Sequence, residues 1–175
     1  MKRTPVTPSL SQFPGEFHPL LSGCPVFDSS CSKEAKVWYL EREDGLFLKS
    51  APRGTLKTEA DMNTFFHSKG LGPEVLCYLS GDQDWMLTRR IPGEDCTHYL
   101  SDPKRLCDTT ASLLRQLHEE DFSGCPVTDR NESYLALAQK NYRLGKFDAQ
   151  LFPGHWGFAS AGEAWKEIEI WMVSL

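Results

Sequence analysis

At 175 residues the chain is long enough for one domain of ordinary size, or for one lobe and part of a second in a bilobal enzyme. With 40% apolar and 25% charged residues it reads as globular rather than disordered. The net charge of −5 argues against general nucleic-acid binding, which needs a basic footprint, and no run approaches the ~20 apolar residues of a membrane span.

The first 24 residues carry prolines at positions 5, 8, 14 and 19, each of which fixes φ and removes a donor. A loose or extended lead-in over 1–24 is therefore expected. Met1-Lys2-Arg3 is basic, but Pro5, Pro8 and Pro14 interrupt any apolar core of a secretion signal. The six cysteines (24, 31, 77, 96, 107 and 125) form no CxxC pair, so no zinc site is expected, and reduced thiols fit a cytoplasmic location.

Val26-Phe27 begins a strand, and Asp28-Ser29-Ser30-Cys31-Ser32 reads as a turn. Ala35–Leu40 is β-rich, Glu41 to Gly45 ends in the Asp-Gly hairpin signal, and Leu46–Lys49 is the return strand. Pro52-Arg53-Gly54 breaks it. Met62, Phe65 and Phe66 have helical spacing after Thr58-Glu59, and Lys69-Gly70-Leu71-Gly72-Pro73 stops that helix. Glu74–Leu79 is a strand, Gly81 to Asp84 a turn and Trp85–Thr88 its return.

The character changes between Arg89 and Gly93. Asp102-Pro103 marks a helix start, and Leu106, Thr110, Leu113, Leu114 and Leu117 form its apolar stripe. Asp121–Asp129 is a loop. A second helix covers Glu132–Leu144, with Leu135, Leu137, Ala138 and Tyr142 as expected buried positions and Gly145 as its stop. A third covers Ser160–Val173, with Ala164, Trp165, Ile168, Trp171 and Met172 on one side.

Lys49 ends a strand, and Glu59 follows in a helix. Two readings fit these residues alone. A cleft lysine could lie between phosphates, with Glu59 holding the amine in place and keeping it protonated. An ordinary strand-end lysine would look the same. The serine-bearing turn is open in the same way, as a phosphate-cradling loop or a plain hairpin turn. His118 suits packing or capping at a helix end better than catalysis. Trp156, Phe158, Trp165 and Trp171 suit core packing better than a binding platform.

The order of hairpin, lysine, helix with Glu59, two strands, short connector and helices resembles the aminoglycoside 3′-phosphotransferase family, from about Val26 to Leu175. The segments that carry the resemblance are Ala35–Leu40, Leu46–Lys49, Gly72-Pro73-Glu74-Val75-Leu76, Trp85–Thr88 leading to Pro92-Gly93-Glu94, and Leu114–His118 followed by Cys125-Pro126. It implies an α+β protein-kinase-like small lobe, about five antiparallel strands and one helix, over residues 25–91. The first helices of a large lobe would follow over 92–175. It implies ATP with Mg²⁺ and an aminoglycoside as acceptor. Lys49 would contact the α- and β-phosphates with Glu59 as its ion-pair partner. Ser29, Ser30 and Ser32 would lie over the phosphates, and the Thr88–Ile91 linker, including Arg89, would recognise adenine through its backbone.

The family's base and metal ligands come from a His-Gly-Asp loop with Asn five residues after the Asp, and from a later Asp-x-Gly. None of the five histidines precedes Gly-Asp, no Asp has Asn five residues on, and no Asp-x-Gly occurs in the 175 residues. No catalytic residue or metal ligand is therefore assigned, and the chain reads as a truncated N-terminal part without efficient transfer of its own. The alternatives are a non-catalytic kinase-like module that holds nucleotide or a partner, and a fragment of another small-molecule kinase of the same superfamily. On the truncated reading the Trp171 side of the last helix is exposed and drives self-association. Size-exclusion chromatography is expected to show oligomers; a clean monomer with low dye binding would contradict this.

Overall fold

A computed structural model describes residues 3–93, 96–128, 130–152 and 156–173, with side chains of the last helix described to position 170. Its six strands are β1 (Thr4–Val6), β2 (Val26–Asp28), β3 (Lys36–Leu40), β4 (Leu46–Pro52), β5 (Val75–Ser80) and β6 (Gln83–Arg89). Its α-helices include α1 (His18–Leu21), α2 (Lys57–Ser68), α3 (Pro103–Glu119), α4 (Arg130–Arg143) and α5 (Ala161–Val173). The strands form one antiparallel sheet in the order β1-β2-β3-β4-β6-β5. The architecture is the expected α+β one, with one strand more than the expected five.

The extra strand lies in the proline-rich lead-in, which is packed rather than loose. Pro5 pairs with Phe27 at the sheet edge, where the donor a proline lacks is least missed. Two 3₁₀ turns and α1 then carry Phe13, Phe17 and Leu21 onto the sheet, where all three are buried with Trp38, Leu40, Leu48, Trp85 and Leu87. Phe13 meets Trp38 edge-on at 4.9 Å, and Trp38 stacks on Trp85 at 5.8 Å. The Arg42 guanidinium ties the lead-in down by donating to the Pro19 carbonyl at 2.8 Å.

Strand alternation gives the sheet two different faces. Val26, Trp38, Leu40, Leu46, Leu48, Trp85 and Leu87 point to the face that the lead-in covers. Lys49 is paired across the ladders with Val37 and Met86, so all three share the opposite face. There Ala51 and Met86 pack with Leu56 and Ala60 of the α2 region. The β3–β4 turn needs Gly45: φ is +99°, and a Cβ there would lie 2.8 Å from the Tyr39 ring.

Helix α2 is set in place by Asp84, a fully buried carboxylate on β6. The Leu56 amide donates to its Oδ2 at 3.0 Å and the Ser80 hydroxyl to its Oδ1 at 2.7 Å. Burial pushes the Asp84 carboxyl up. Donors from Leu56, Ser80, Gly54 and Tyr78 outweigh that and hold it at about 2, below its ordinary 3.8. The C-terminal end of α2 packs on the segment after α3: Phe65 and Phe66 lie 5.9 and 6.3 Å from Phe122, and Met62 Sδ is 3.9 Å from Cys125 Sγ.

These contacts explain why the chain divides into compact units at Met1–Val127 and Thr128–Leu175, later than the change of character at Arg89–Gly93. Helix α3 starts as expected, with Pro103 in its first turn and Asp102 Oδ1 accepting the Arg105 amide at 3.0 Å. Its stripe is less buried than its spacing suggests: Leu106 and Leu117 are half-buried, whereas Thr110, Leu113 and Leu114 are exposed.

In the second unit, Tyr142 stacks on buried Trp165 at 5.1 Å, and Trp165 Nε1 donates to Glu169. Core packing therefore holds for Trp165, but Trp156, Leu137 and Ala138 are exposed, because this short unit has few elements to cover them. The expected roles of the Trp171 and Met172 side chains, and of Glu94, lie outside the described residues.

Two outcomes follow from this packing. Phe17→Ala should destabilise the protein by roughly 3–5 kcal/mol in denaturant titration, where a loose lead-in would give no change. Asp84 has a depressed folded-state pKa, so its contribution is full above about pH 4 and is lost as pH falls toward 2. Asp84→Asn should lower the melting temperature at pH 7 and flatten its decline between about pH 4 and pH 2.

Candidate functional site

Lys49 occupies an inner strand, between β3 and β6, and its side chain is about one-quarter exposed. Glu59 stands in the first turn of α2, where the helix dipole favours a carboxylate. The Lys49 ammonium donates to both oxygens of Glu59, at 2.8 Å and 2.6 Å. Screening at this half-open position leaves such a pair a net worth of about 1 kcal/mol or less, so its main effect is geometric. The amine is held above the sheet with one face engaged by the Glu59 carboxylate.

The serine turn is built more tightly than a floppy loop. The Ser30 amide donates to Asp28 Oδ1 at 2.9 Å, and the Val37 amide donates to the Ser30 hydroxyl at 3.0 Å. Lys36 pairs with Asp28 and, with the Ser30 amide next in importance, holds that carboxyl well below the usual range. Ser29 is buried and its amide donates to the Val37 carbonyl at 2.9 Å. Ser32 is exposed at the tip. Val37 is the cross-strand partner of Lys49, so the turn is anchored one strand away from the lysine. The Ser30 hydroxyl is already committed to the hairpin.

The linker lies at the far end of β6. Thr88 is buried and pairs with Phe47 of β4. The Arg89 amide donates to the Glu74 carbonyl and the Arg90 amide to the Gly45 carbonyl. The Arg89 side chain is an anchor as well: its Nε donates to Glu74 at 2.9 Å, and Glu43 lies 3.5 Å away. That pairing raises the Arg89 pKa and lowers that of Glu74. Ile91 is exposed, and among the described residues no hydrogen bond takes its amide.

Thr88, Arg89, Arg90, Ile91, Pro92 and Gly93 line a cavity of about 650 Å³ together with Phe47, Pro73, His98 and Arg3. That volume suits a small organic ligand. The linker residues and Phe47 thus share one hollow, and Lys49 stands two residues beyond Phe47 on the same face of β4. Phe47 was not singled out from the sequence, although its i−2 spacing from Lys49 carried the signal. Tyr39, 5.2 Å from the Phe47 ring, joins it through the β3–β4 register. Arg3 had no local signal, since only strand pairing brings it near.

The family model described as the phosphotransferase enzyme family (APH) matches residues 32–172. A probable aminoglycoside 3′-phosphotransferase of Lactococcus lactis subsp. lactis is 38% identical over 164 residues, covering 92% of this chain and 62% of that protein. Aminoglycoside 3′-phosphotransferases of Staphylococcus aureus and Escherichia coli are each 30% identical. They match over 63% and 50% of this chain, and over 46% and 34% of their own lengths. The chain thus spans less than two thirds of each of these relatives. The family match covers most of β3 through α5 and includes Lys49, Glu59 and the linker: the chain belongs to the phosphotransferase enzyme family, whose fold is kinase-like.

Proposed function

We propose that this chain forms the ATP-holding part of an aminoglycoside phosphotransferase, which moves a phosphoryl group from ATP to a hydroxyl of the antibiotic. The observation that carries this reading is the Lys49–Glu59 pair. It stands on the sheet face that leads to the linker cavity, in a chain of this family. ATP supplies the phosphoryl group. The chain's own residues hold it: Lys49 lies between the α- and β-phosphates, and Glu59 keeps the amine aimed. The serine turn borders the phosphates through the exposed Ser32 and through backbone groups, since Ser30's hydroxyl is engaged by Val37. The base occupies the cavity beside Thr88–Ile91, with Phe47 offering an aromatic face.

On this reading residues 25–91 are the nucleotide lobe and residues 92–175 contribute helices of the acceptor-side lobe. The donor set for Mg²⁺ is a poor fit. Among the described residues no cluster of three His, Cys, Asp or Glu side chains could hold a metal, and the family's Asn and Asp-x-Gly ligand pattern is not among the 175 residues. The part these residues play on this reading is to hold and orient ATP. No helix among the described residues is long and apolar enough to cross a membrane, and a cytoplasmic site of action fits the supply of ATP.

Calorimetric titration with MgATP tests this reading. Wild type should bind, and Lys49→Ala should weaken binding roughly tenfold or more, the worth of one charge-assisted phosphate contact. Glu59→Gln should weaken it less, because the lysine remains. Equal binding by wild type and Lys49→Ala, or no binding by wild type, would contradict the proposal.

A further inference from the structure

The cavity beside the linker is bounded on one side by a residue from the other end of the sheet. Arg3 immediately precedes β1, the edge strand, and it lines the same hollow as Phe47, Thr88 and Ile91. Its guanidinium carbon lies 3.7 Å from the centre of the Tyr39 ring. Tyr39 is itself fixed. It is buried, it pairs with Phe27 and Phe47 across the ladders, and its ring closes against Gly45. Pro5, Phe27, Tyr39, Phe47 and Thr88 are successive cross-strand partners, so they form one row over five strands on the Lys49 face. Arg3 sits on top of that row.

A guanidinium stacked on an aromatic ring is a flat cation with N–H donors around its rim. A purine entering the cavity would meet an aromatic face at Phe47 and, at Arg3, a plane for stacking and donors for a ring acceptor such as N7. A lysine could supply the charge there but neither the plane nor the fork of donors. The carboxylates described near the linker, Glu43 and Glu74, are both engaged by Arg89.

We infer that Arg3 is a nucleotide-binding residue that contacts the base, carried to the cavity by the N-terminal edge strand. This rests on the reading that the cavity holds the base of ATP. It adds a base contact from outside the residues 32–172 matched by the family model.

The test compares MgATP with magnesium tripolyphosphate, which has the phosphates but no base, on wild type, Arg3→Ala, Arg3→Lys and Lys49→Ala. Arg3→Ala should weaken ATP binding roughly five- to twentyfold while leaving tripolyphosphate within about twofold. Arg3→Lys should recover less than half of the loss. Lys49→Ala should weaken both ligands. Arg3 is exposed, so its variants should melt within a few degrees of wild type. Unchanged ATP affinity in Arg3→Ala, an equal loss for both ligands, or full rescue by lysine would overturn the base contact. Wild type that binds neither ligand would overturn the nucleotide reading beneath it as well.

Discussion

Helix α2 begins where Asp84 allows it to. A carboxylate shut away from water must find donors, and Asp84 finds them on two sides: Ser80 within its own hairpin and the Leu56 amide at the entry to the helix. That second bond fixes the start of α2 against β6. Glu59 lies three residues after Leu56, so the same bond determines how far the Glu59 carboxylate stands above the sheet. Lys49 is set independently by its ladders to β3 and β6. The ion pair forms because two separately anchored elements bring its halves within reach. A pair worth so little energy could not position them by itself.

The two faces of the sheet do different work. One is closed by Phe13, Phe17 and Leu21 over a stacked pair of tryptophans, and its burial stabilises the sheet. The other is only partly covered, by α2, and keeps an aromatic row, a paired lysine and a cavity. A sheet sealed on both faces would have no room for a ligand. With the lead-in supplying the core on one side, the Lys49 side is left for the proposed nucleotide.

Much of this was legible in the sequence where the signals are local. The Asp44-Gly45 turn, the strand starting at Leu46, the helical spacing after Glu59 and the Asp102-Pro103 helix start all depend on a few adjacent residues, although β4 runs on to Pro52, so Lys49 lies in its middle rather than at its end. The misses involve distant partners. Prolines made residues 1–24 look loose, yet an edge strand tolerates Pro5, and Phe13, Phe17 and Leu21 are anchors that only the folded sheet can use. Asp84 looked like a turn residue because its partner, Leu56, lies on the far side of a helix and a strand. Arg3 reaches Tyr39 only after β1 has paired with β2. In the helical half, spacing identified α3, α4 and α5, but spacing says which residues share a face, not what covers that face. Leu113, Leu114 and Leu137 are therefore exposed where burial was expected.

The proposed nucleotide belongs on the Lys49 face of the sheet and not on the lead-in face. Side-chain chemical-shift mapping by NMR during MgATP addition separates the two, because side chains of alternate residues in one strand stand on opposite faces. The largest shifts are expected at Val37, Phe47, Lys49 and Ile91, with small ones at Trp38, Leu48 and Leu87. Shifts concentrated at Phe13, Trp38 and Trp85, or spread evenly over both faces, would contradict this placement.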